Sequence, residues 1–484
     1  MLVTMLKLYN TLSHKIEEFR PLNDPFVGIY SCGPTVYDYA HIGHMRRYVG
    51  DDILVRILEY KGYTVKHVMN VTDVGHLVSD ADSGEDKMEK GAKKFGMSVW
   101  DIAKKFENQF FDSTDSLNIK RPDILMHATD YIKEQIELIN ILEKKNYTYK
   151  IADGIYFDTS KFPDYFKFSR QNPKELKKGA RVEFVEGKKN IADFALWKFS
   201  PSFKDAELQS GKVEKRQMEW ESPWGIGFPG WHVECSAMSI KALGDTLDIH
   251  TGGIDHINIH HSNEIAQSEC ATGKKFVNYW VHHNFLVVDK EKMSKSLNNF
   301  YTVQDVIGKG YDPLALRYLY LQTHYRQEMN FTWEALDGAQ TAYKKLIHDV
   351  KMYSAESNEE KDNRGSLEFE KLFMDALNDD MNTPKALAVM WEVVRSSTPL
   401  PTKLTTLKNF DKILGLELFE RAKGNEKIEI PQSVLKLVID REELRKAGDF
   451  KASDELRSKI QELGFEVMDT KNGPQVEPLQ MGNK

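Results

Sequence analysis

Apolar and polar positions follow two different periods over the first seventy residues. Residues 26–32 read as a short strand, and a glycine–proline turn follows at Gly33-Pro34. Over 44–60, Val49, Ile53 and Ile57 recur four apart on one face, which predicts a helix stopped by Gly62. Residues 64–70 read as the next strand. This strand–helix–strand unit is the building block of an open α/β sheet, in which ligands sit beyond the carboxyl ends of the strands. His41 and His44 stand at the head of the helix, at the positive end of its dipole, a position that suits phosphate.

Further along the pattern loosens. Residues 80–97 are charged and glycine-containing and read as a surface excursion. Residues of about 120–220 mix helix signals with turn-rich segments and read as an insertion between two halves of one nucleotide-binding domain. A second sheet-like half returns near Trp231. Within it, residues 247–250 read as a strand ending in Gly252-Gly253, and a helix begins near His260. An apolar strand at 285–288 leads into the polar string Lys292-Met293-Ser294-Lys295-Ser296. After Tyr311 the pattern is helical almost throughout, with a loop near 363–366. A last helical module spans about 430–464 and is followed by a short β-like tail.

Composition narrows the class. A chain of 484 residues is too long for one ordinary core and implies two to four domains. No apolar run approaches a membrane span, and the start of the chain has no signal-peptide pattern. The three cysteines, Cys32, Cys235 and Cys270, are too few for a disulfide framework, so a reducing cytoplasmic compartment is expected. The net charge of −7 does not advertise nucleic-acid binding. Basic clusters exist at Lys93-Lys94, Lys104-Lys105, 174–181 and Lys188-Lys189, but each reads first as a solvated face.

Three groups of residues carry chemistry. His41 and His44 are three apart and share a helical face, where their N–H groups can hold phosphates. Gly43 between them lets an adenine ring approach the backbone. Lys292, Ser294, Lys295 and Ser296 form a cationic segment suited to a pyrophosphate leaving group. Cys32, Cys235, His260 and Glu264 make a plausible Zn²⁺ set, with His260 and Glu264 one helical turn apart. Spacing alone leaves His256, His261, Glu234 and Cys270 open as competing ligands.

These strings resemble the cysteinyl-tRNA synthetases, a class I family, over nearly the whole chain. The likeness includes Tyr30-Ser31-Cys32-Gly33-Pro34-Thr35-Val36-Tyr37-Asp38 leading into His41-Ile42-Gly43-His44. It continues through Asn70-Val71-Thr72-Asp73 and Ala192-Asp193-Phe194-Ala195-Leu196-Trp197-Lys198. Next come Pro229-Gly230-Trp231-His232-Val233-Glu234-Cys235-Ser236, His260-His261 with Asn263-Glu264, and the lysine string. Asp379-Asp380-Met381-Asn382-Thr383-Pro384 and the segment from Asp449-Phe450 through Arg457 extend it toward the C-terminus.

The resemblance implies an α/β fold: a Rossmann-like class I catalytic domain with an insertion, followed by an α-helical anticodon-binding region. The corresponding boundaries are 1–118 and 221–310 for the two catalytic halves and 119–220 for the insertion. A linking region and helical bundle would span 311–425, and a small anticodon-binding module 426–484. It implies ligation of L-cysteine to tRNA(Cys) with ATP and Mg²⁺, by a monomer without membrane attachment. One Zn²⁺ on Cys32, Cys235, His260 and Glu264 would take the substrate thiolate, a soft ligand that serine cannot match. Cys32, Thr35 and Trp231 would meet the amino acid. Gly43, His44, Gly252, Gly253, Asp255 and Lys295 would meet ATP, with His41, His44, Lys292 and Lys295 catalytic.

Several positions depart from the family pattern. These are Gly75-His76-Leu77, Asn258-Ile259, Ser262, Asn284 and Asn298, and Pro474-Gln475 where a tryptophan is usual. Two other functions compete: a ligase joining cysteine to a small-molecule amine, and a catalytically silent zinc-containing RNA-binding protein. The helical region beyond about 330 speaks against the first, and the intact histidine and lysine strings against the second.

Overall fold

The computed structural model of the chain describes residues 5–75, 87–172, 186–200, 216–294, 297, 299–357, 364–424, 431–446, 449–463, 465–470 and 473–478. It divides into two units, Met1–Leu418 and Phe419–Lys484. The expected basic cluster at 174–181 and the residues His76, Leu77, Lys295, Ser296 and Asn298 lie outside the described residues.

The centre of the first unit is a five-stranded parallel sheet. Its strands are β1 (Phe26–Ser31), β2 (Thr64–Val71), β3 (Ile124–His127), β4 (Leu247–Gly253) and β5 (Val277–His283). Their spatial order is β5-β4-β1-β2-β3. Val27, Ile29, Tyr30, Val68, Val71, Leu247, Ile249 and Val281 are almost fully buried. A parallel sheet covered on both faces needs such near-continuous apolar strands. The chain runs outward from β1 through β2 to β3, then returns to build β4 and β5 on the other side of β1. The gap beyond the carboxyl ends of β1 and β4 is therefore the topological switch point, the place where open sheets bind ligands.

Helix α1 (Ile42–Tyr60) connects β1 to β2. It buries Ile42, Met45, Val49, Ile53, Leu54, Ile57 and Leu58, the face foreseen from the four-residue spacing. Gly62 ends it with φ of +91°, a conformation that a side chain would strain. Two further helices frame the site: α2 (Trp231–Leu243) before β4 and α3 (Ser262–Thr272) before β5.

Two expectations are corrected. The strand Ile124–His127 pairs in parallel with Thr64–Val71, so the boundary at 118/119, which assigned it to the insertion, falls too early. The insertion that follows carries a four-stranded antiparallel sheet built from Thr148–Ile151, Gly154–Phe157, Phe194–Phe199 and Gly227–Pro229. Within 80–97, the part from Lys87 to Phe95 is a helix rather than a surface excursion. Met88 and Ala92 are buried against Val36, Val71, Ile102 and Phe106, and that apolar pair outweighs the surrounding lysines.

Beyond 311 the described elements of the first unit are helices, together with the strand Met329–Phe331, which pairs in parallel with Leu286–Val288. In the second unit, helices Gln432–Lys446 and Phe450–Glu462 and the hairpin Phe465–Thr470/Gly473–Pro478 enclose Val434, Val438, Ile460 and Val467. Among the described residues no helix is long and apolar enough to cross a membrane.

Candidate active site

The histidine pair caps α1. His41 is the N-cap, and its Nδ1 accepts from the His44 backbone N–H at 3.2 Å. In return His44 Nδ1 accepts from the His41 backbone N–H at 3.3 Å. This reciprocal capping box spends both Nδ1 atoms as acceptors, so each neutral ring carries its proton on Nε2. The rings stack with centroids 3.5 Å apart. Burial lowers His41 to about 4, and burial beside His41 and Arg47 takes His44 well below its ordinary value. At neutral pH the head of α1 therefore presents two uncharged imidazole N–H donors. A Cβ on Gly43 would stand 3.0 Å from the His41 ring and crowd this stack.

Across the switch point lies a buried cluster. Ligand atoms of Cys32, Cys235, His260 and Glu264 all fall within 4.8 Å of one another. They come from four elements. Cys32 follows β1, with its N–H on Thr251 O at 3.3 Å and its carbonyl held by the Arg47 guanidinium. Cys235 lies in the first turns of α2. His260 belongs to a π-helical turn, Ile257–His261, that runs into α3, and Glu264 lies in the first turn of α3. Such turns often mark functional positions because they change the register of side chains along a helix.

The surroundings orient the ligand atoms. His260 Nδ1 lies 2.9 Å from His232 Nδ1, which leaves His260 Nε2 facing Glu264 Oε1 at 3.0 Å. Glu264 Oε2 is held by His250 Nε2 at 2.9 Å, while Oε1 faces His260 Nε2. Burial pushes the Glu264 carboxyl up, but His250 and His260 outweigh it and hold it at about 2. Burial opposes a charge on His260, and Glu264 outweighs that to lift it to about 10. Burial raises the Cys32 thiol, and the neighbouring Cys32 sulfur and burial raise Cys235 further. Two thiols, an imidazole and a carboxylate converge on one buried point, the mixed sulfur, nitrogen and oxygen donor set of a metal site once the thiols and His260 give up their protons. A metal ion fits it.

The competing ligands sort by position. His261 joins a second possible set with Cys32, His250 and Glu264, within the same 4.8 Å limit. The two sets share Cys32 and Glu264 and cannot both be filled. His261 Nε2 lies 3.4 Å from Cys32 Sγ, and its Nδ1 is bonded to His282 Nε2 at 2.7 Å. Glu234 accepts from Thr72 Oγ1 at 3.1 Å, and neither it nor Cys270 nor His256 belongs to either set.

The other expected residues lie as follows. The Trp231 ring packs 4.5 Å from that of His260. Thr35 bridges to Thr72 beside the end of β2. Gly252 and Gly253 end β4, and Asp255 follows in a short 3₁₀ turn. A Cβ on Gly252 would meet His261 Cε1 at 2.5 Å and His256 Nδ1 at 2.9 Å, and one on Gly253 would meet Asp255 Oδ1 at 2.2 Å. Lys292 is solvent-exposed, and its carbonyl accepts from Asn299 Nδ2 at 3.3 Å. Lys295 lies outside the described residues. Sequence reasoning passed over His232, His250 and Arg47, which orient the ligands. His232 stood in a quoted string three residues before Cys235, and that proximity was its one signal.

Comparison with known proteins places these features in a family. Residues 18–341 match the model for the tRNA synthetases class I (C) catalytic domain, and residues 372–398 match the DALR domain. The chain is 47% identical to "Cysteine--tRNA ligase 1" of Burkholderia lata, covering 99% of the chain and 98% of the relative. It is 45% identical to "Cysteine--tRNA ligase" of Treponema denticola, covering 96% and 98%. Among solved structures it resembles Mycobacterium tuberculosis methionyl-tRNA synthetase with methionyl-adenylate (TM-score 0.51, 15% identity, 83% of the chain and 92% of that structure). It also resembles the LeuRS–tRNA–LeuAMS ternary complex of Agrobacterium radiobacter (TM-score 0.57, 12% identity, 85% and 86%). At these identities the likeness to solved structures speaks for the fold alone.

Proposed function

Because the chain belongs to the cysteine–tRNA ligases among the class I tRNA synthetases, we propose that the buried cluster selects the amino acid and the head of α1 activates it. The enzyme converts ATP, L-cysteine and tRNA(Cys) to cysteinyl-tRNA(Cys), AMP and diphosphate. In the first step a cysteine carboxylate oxygen attacks the α-phosphorus and pyrophosphate leaves, giving cysteinyl-adenylate. In the second the terminal ribose hydroxyl of the tRNA attacks the adenylate carbonyl and AMP leaves.

The residues divide these tasks. His41 and His44 donate Nε2–H to phosphate oxygens as charge develops, with the α1 dipole behind them. Gly43, Gly252, Gly253 and Asp255 form the adenosine side. Lys292 and Lys295 neutralise the departing pyrophosphate, and Mg²⁺ accompanies ATP. Positioning and charge stabilisation suffice, with no protein nucleophile. Cys32, Cys235, His260 and Glu264 would hold one Zn²⁺, and what that ion supplies when bound is a soft Lewis-acidic partner for the substrate thiolate, which an alcohol does not match. Trp231 and Thr35 line the amino-acid side. The region beyond about 311 and the module from 426 would receive the tRNA, in a monomer working in the reducing cytoplasm.

The observation that carries this reading is the convergence of two thiols, an imidazole and a carboxylate within 4.8 Å at the switch point. Cysteine-dependent ATP–pyrophosphate exchange, with serine as control, tests it. Exchange with cysteine and none with serine is expected, followed by charging of a tRNA(Cys) transcript. Equal exchange with both amino acids would remove the selection role of the cluster. The small-molecule-amine reading is disfavoured by the DALR match and by the full-length match to tRNA ligases.

A further inference from the structure

Arg46 is two residues beyond His44 on α1. Its side chain is almost fully buried, the residue being 5% exposed. Nη1 donates to the carbonyls of Asn284 (3.0 Å) and Phe285 (2.7 Å). Nη2 donates to those of His324 (3.1 Å) and Gln327 (2.7 Å). No carboxylate takes part in these bonds. Burial lowers the guanidinium to about 10 against the opposing influence of Tyr320 and Glu328, so it stays charged at neutral pH.

The four carbonyls belong to two segments that run side by side. Asn284 and Phe285 immediately precede the strand Leu286–Val288, and His324 and Gln327 precede Met329–Phe331. These strands form an isolated parallel ribbon of three residue pairs, Leu286↔Met329 to Val288↔Phe331. Met329 N–H donates to Phe285 O at 3.0 Å and Asn284 N–H to Tyr325 O at 2.8 Å, closing the same end of the ribbon. A ribbon this short does not hold itself in place, so its position is set by what it is tied to. Its far end opens into residues 289–299, which contain the lysine string. Leu286 lies against Gly43, where an added Cβ would stand 3.7 Å from its own.

We propose that Arg46 is a positioning residue for adenylate formation: its guanidinium staples the base of the lysine segment to the helix that carries His41 and His44. The inference rests on the adenylate-forming reading above. One rigid helix then fixes both groups of phosphate donors in a common frame. The planar fork of arginine suits this task, because it addresses two backbone segments at once, whereas a lysine ammonium is a point donor on a flexible stem. Arg46 touches neither the metal-ligand set nor the amino-acid side, so its loss acts on transition-state geometry and leaves cysteine binding alone.

The test compares full-length wild type, Arg46→Met and Arg46→Lys in cysteine-dependent ATP–pyrophosphate exchange, with KM for cysteine and bound zinc measured alongside. Misplacement of donors by about 1 Å is expected to lower kcat about 100-fold in Arg46→Met, with partial recovery in Arg46→Lys. KM for cysteine and zinc content stay within about twofold of wild type, because a uniform-binding loss is not expected. An unchanged kcat overturns the inference, and so does a rise in KM or a loss of zinc that matches the fall in kcat. If Arg46→Met does not fold, Arg46→Lys decides alone: a lowered kcat at unchanged KM supports the staple, and wild-type kcat overturns it. A wild type without cysteine-dependent exchange would instead refute the adenylate-forming reading itself.

Discussion

Replacing Arg317 with methionine would remove a fully buried ion pair connecting α1 to the helices beyond 311. Arg317 lies in the helix Pro313–Leu321, and its Nη2 is 2.5 Å from Asp52 Oδ2 on α1. Both side chains are fully buried. The same guanidinium donates to Leu414 O at 2.7 Å and to Leu117 O at 2.9 Å, so one side chain joins α1 to two other helix ends. Burial raises the Asp52 carboxyl, but Arg317 and Arg56 outweigh it and hold it below its ordinary 3.8. Breaking such a pair from one side leaves a buried charge without its partner and costs about 3–5 kcal/mol. Arg56 Nε, 2.8 Å from the same oxygen, and the Lys120 N–H, 3.0 Å from Oδ1, remain, so the lower end of that range is expected. Urea unfolding followed by tryptophan fluorescence reads the change as a lowered midpoint. The pH dependence supplies a second readout. A depressed folded pKa contributes stability that is present above 3.8 and lost as pH falls through the folded value. Asp52→Asn removes that acid-side slope. A wild-type midpoint in Arg317→Met, or an unchanged acid limb in Asp52→Asn, would refute the reasoning.

Further outcomes follow from the site. Cys235→Ala removes one of the two thiols of the cluster: by elemental analysis wild type is expected to carry close to one zinc per chain and the purified variant to have lost it. His44→Ala removes both an Nε2–H donor and half of the capping box. Loss of one preorganised donor lowers the adenylation rate about 10²–10³-fold, read by single-turnover pyrophosphate release, and a change confined to KM for ATP would contradict the transition-state role. Gly252→Ala drives a Cβ to 2.5 Å from the His261 ring, which is itself pinned by His282. Cysteine-dependent exchange should fall sharply in that variant, and wild-type exchange would show that the end of β4 tolerates a shift.

Legibility from sequence followed the range of the interactions involved. The period-four spacing of Val49, Ile53 and Ile57 revealed α1 because a helix face is a local property. The strand Ile124–His127 escaped notice because it has four residues, and only its pairing with β2 makes it part of the sheet. The helix Lys87–Phe95 was hidden by its lysines, since Met88 and Ala92 show their role only against a partner surface. The proposed metal ligands sit at 32, 235, 260 and 264, too dispersed for any spacing rule, and they became readable through resemblance to a family. His232 and His250 act by orienting those ligands, a role that exists only once β4, α2 and α3 are packed. Lys295, the residue of the lysine string given the sharpest role, lies outside the described residues, so its part rests on the string alone.

The arrangement explains why amino-acid choice and activation chemistry share one helix. A turn of α1 advances 100° per residue, so neighbouring side chains reach different surroundings. His41 and His44 face the phosphate end, Arg46 grips the base of the lysine segment, and Arg47 grips the carbonyl of Cys32. Arg47 is in turn paired with Asp51 one turn along, at 3.2 Å. The metal-ligand strand, the phosphate donors and the lysine segment are therefore indexed to a single rigid rod. On the proposed function, a cluster that recognises a thiol at the end of β1 would hold the attached carboxylate at a fixed distance from the donors that stabilise its attack. Selection for cysteine and positioning for adenylation are two consequences of the same geometry, and a substitution at 46 or 47 separates them by loosening one tether while leaving the other in place.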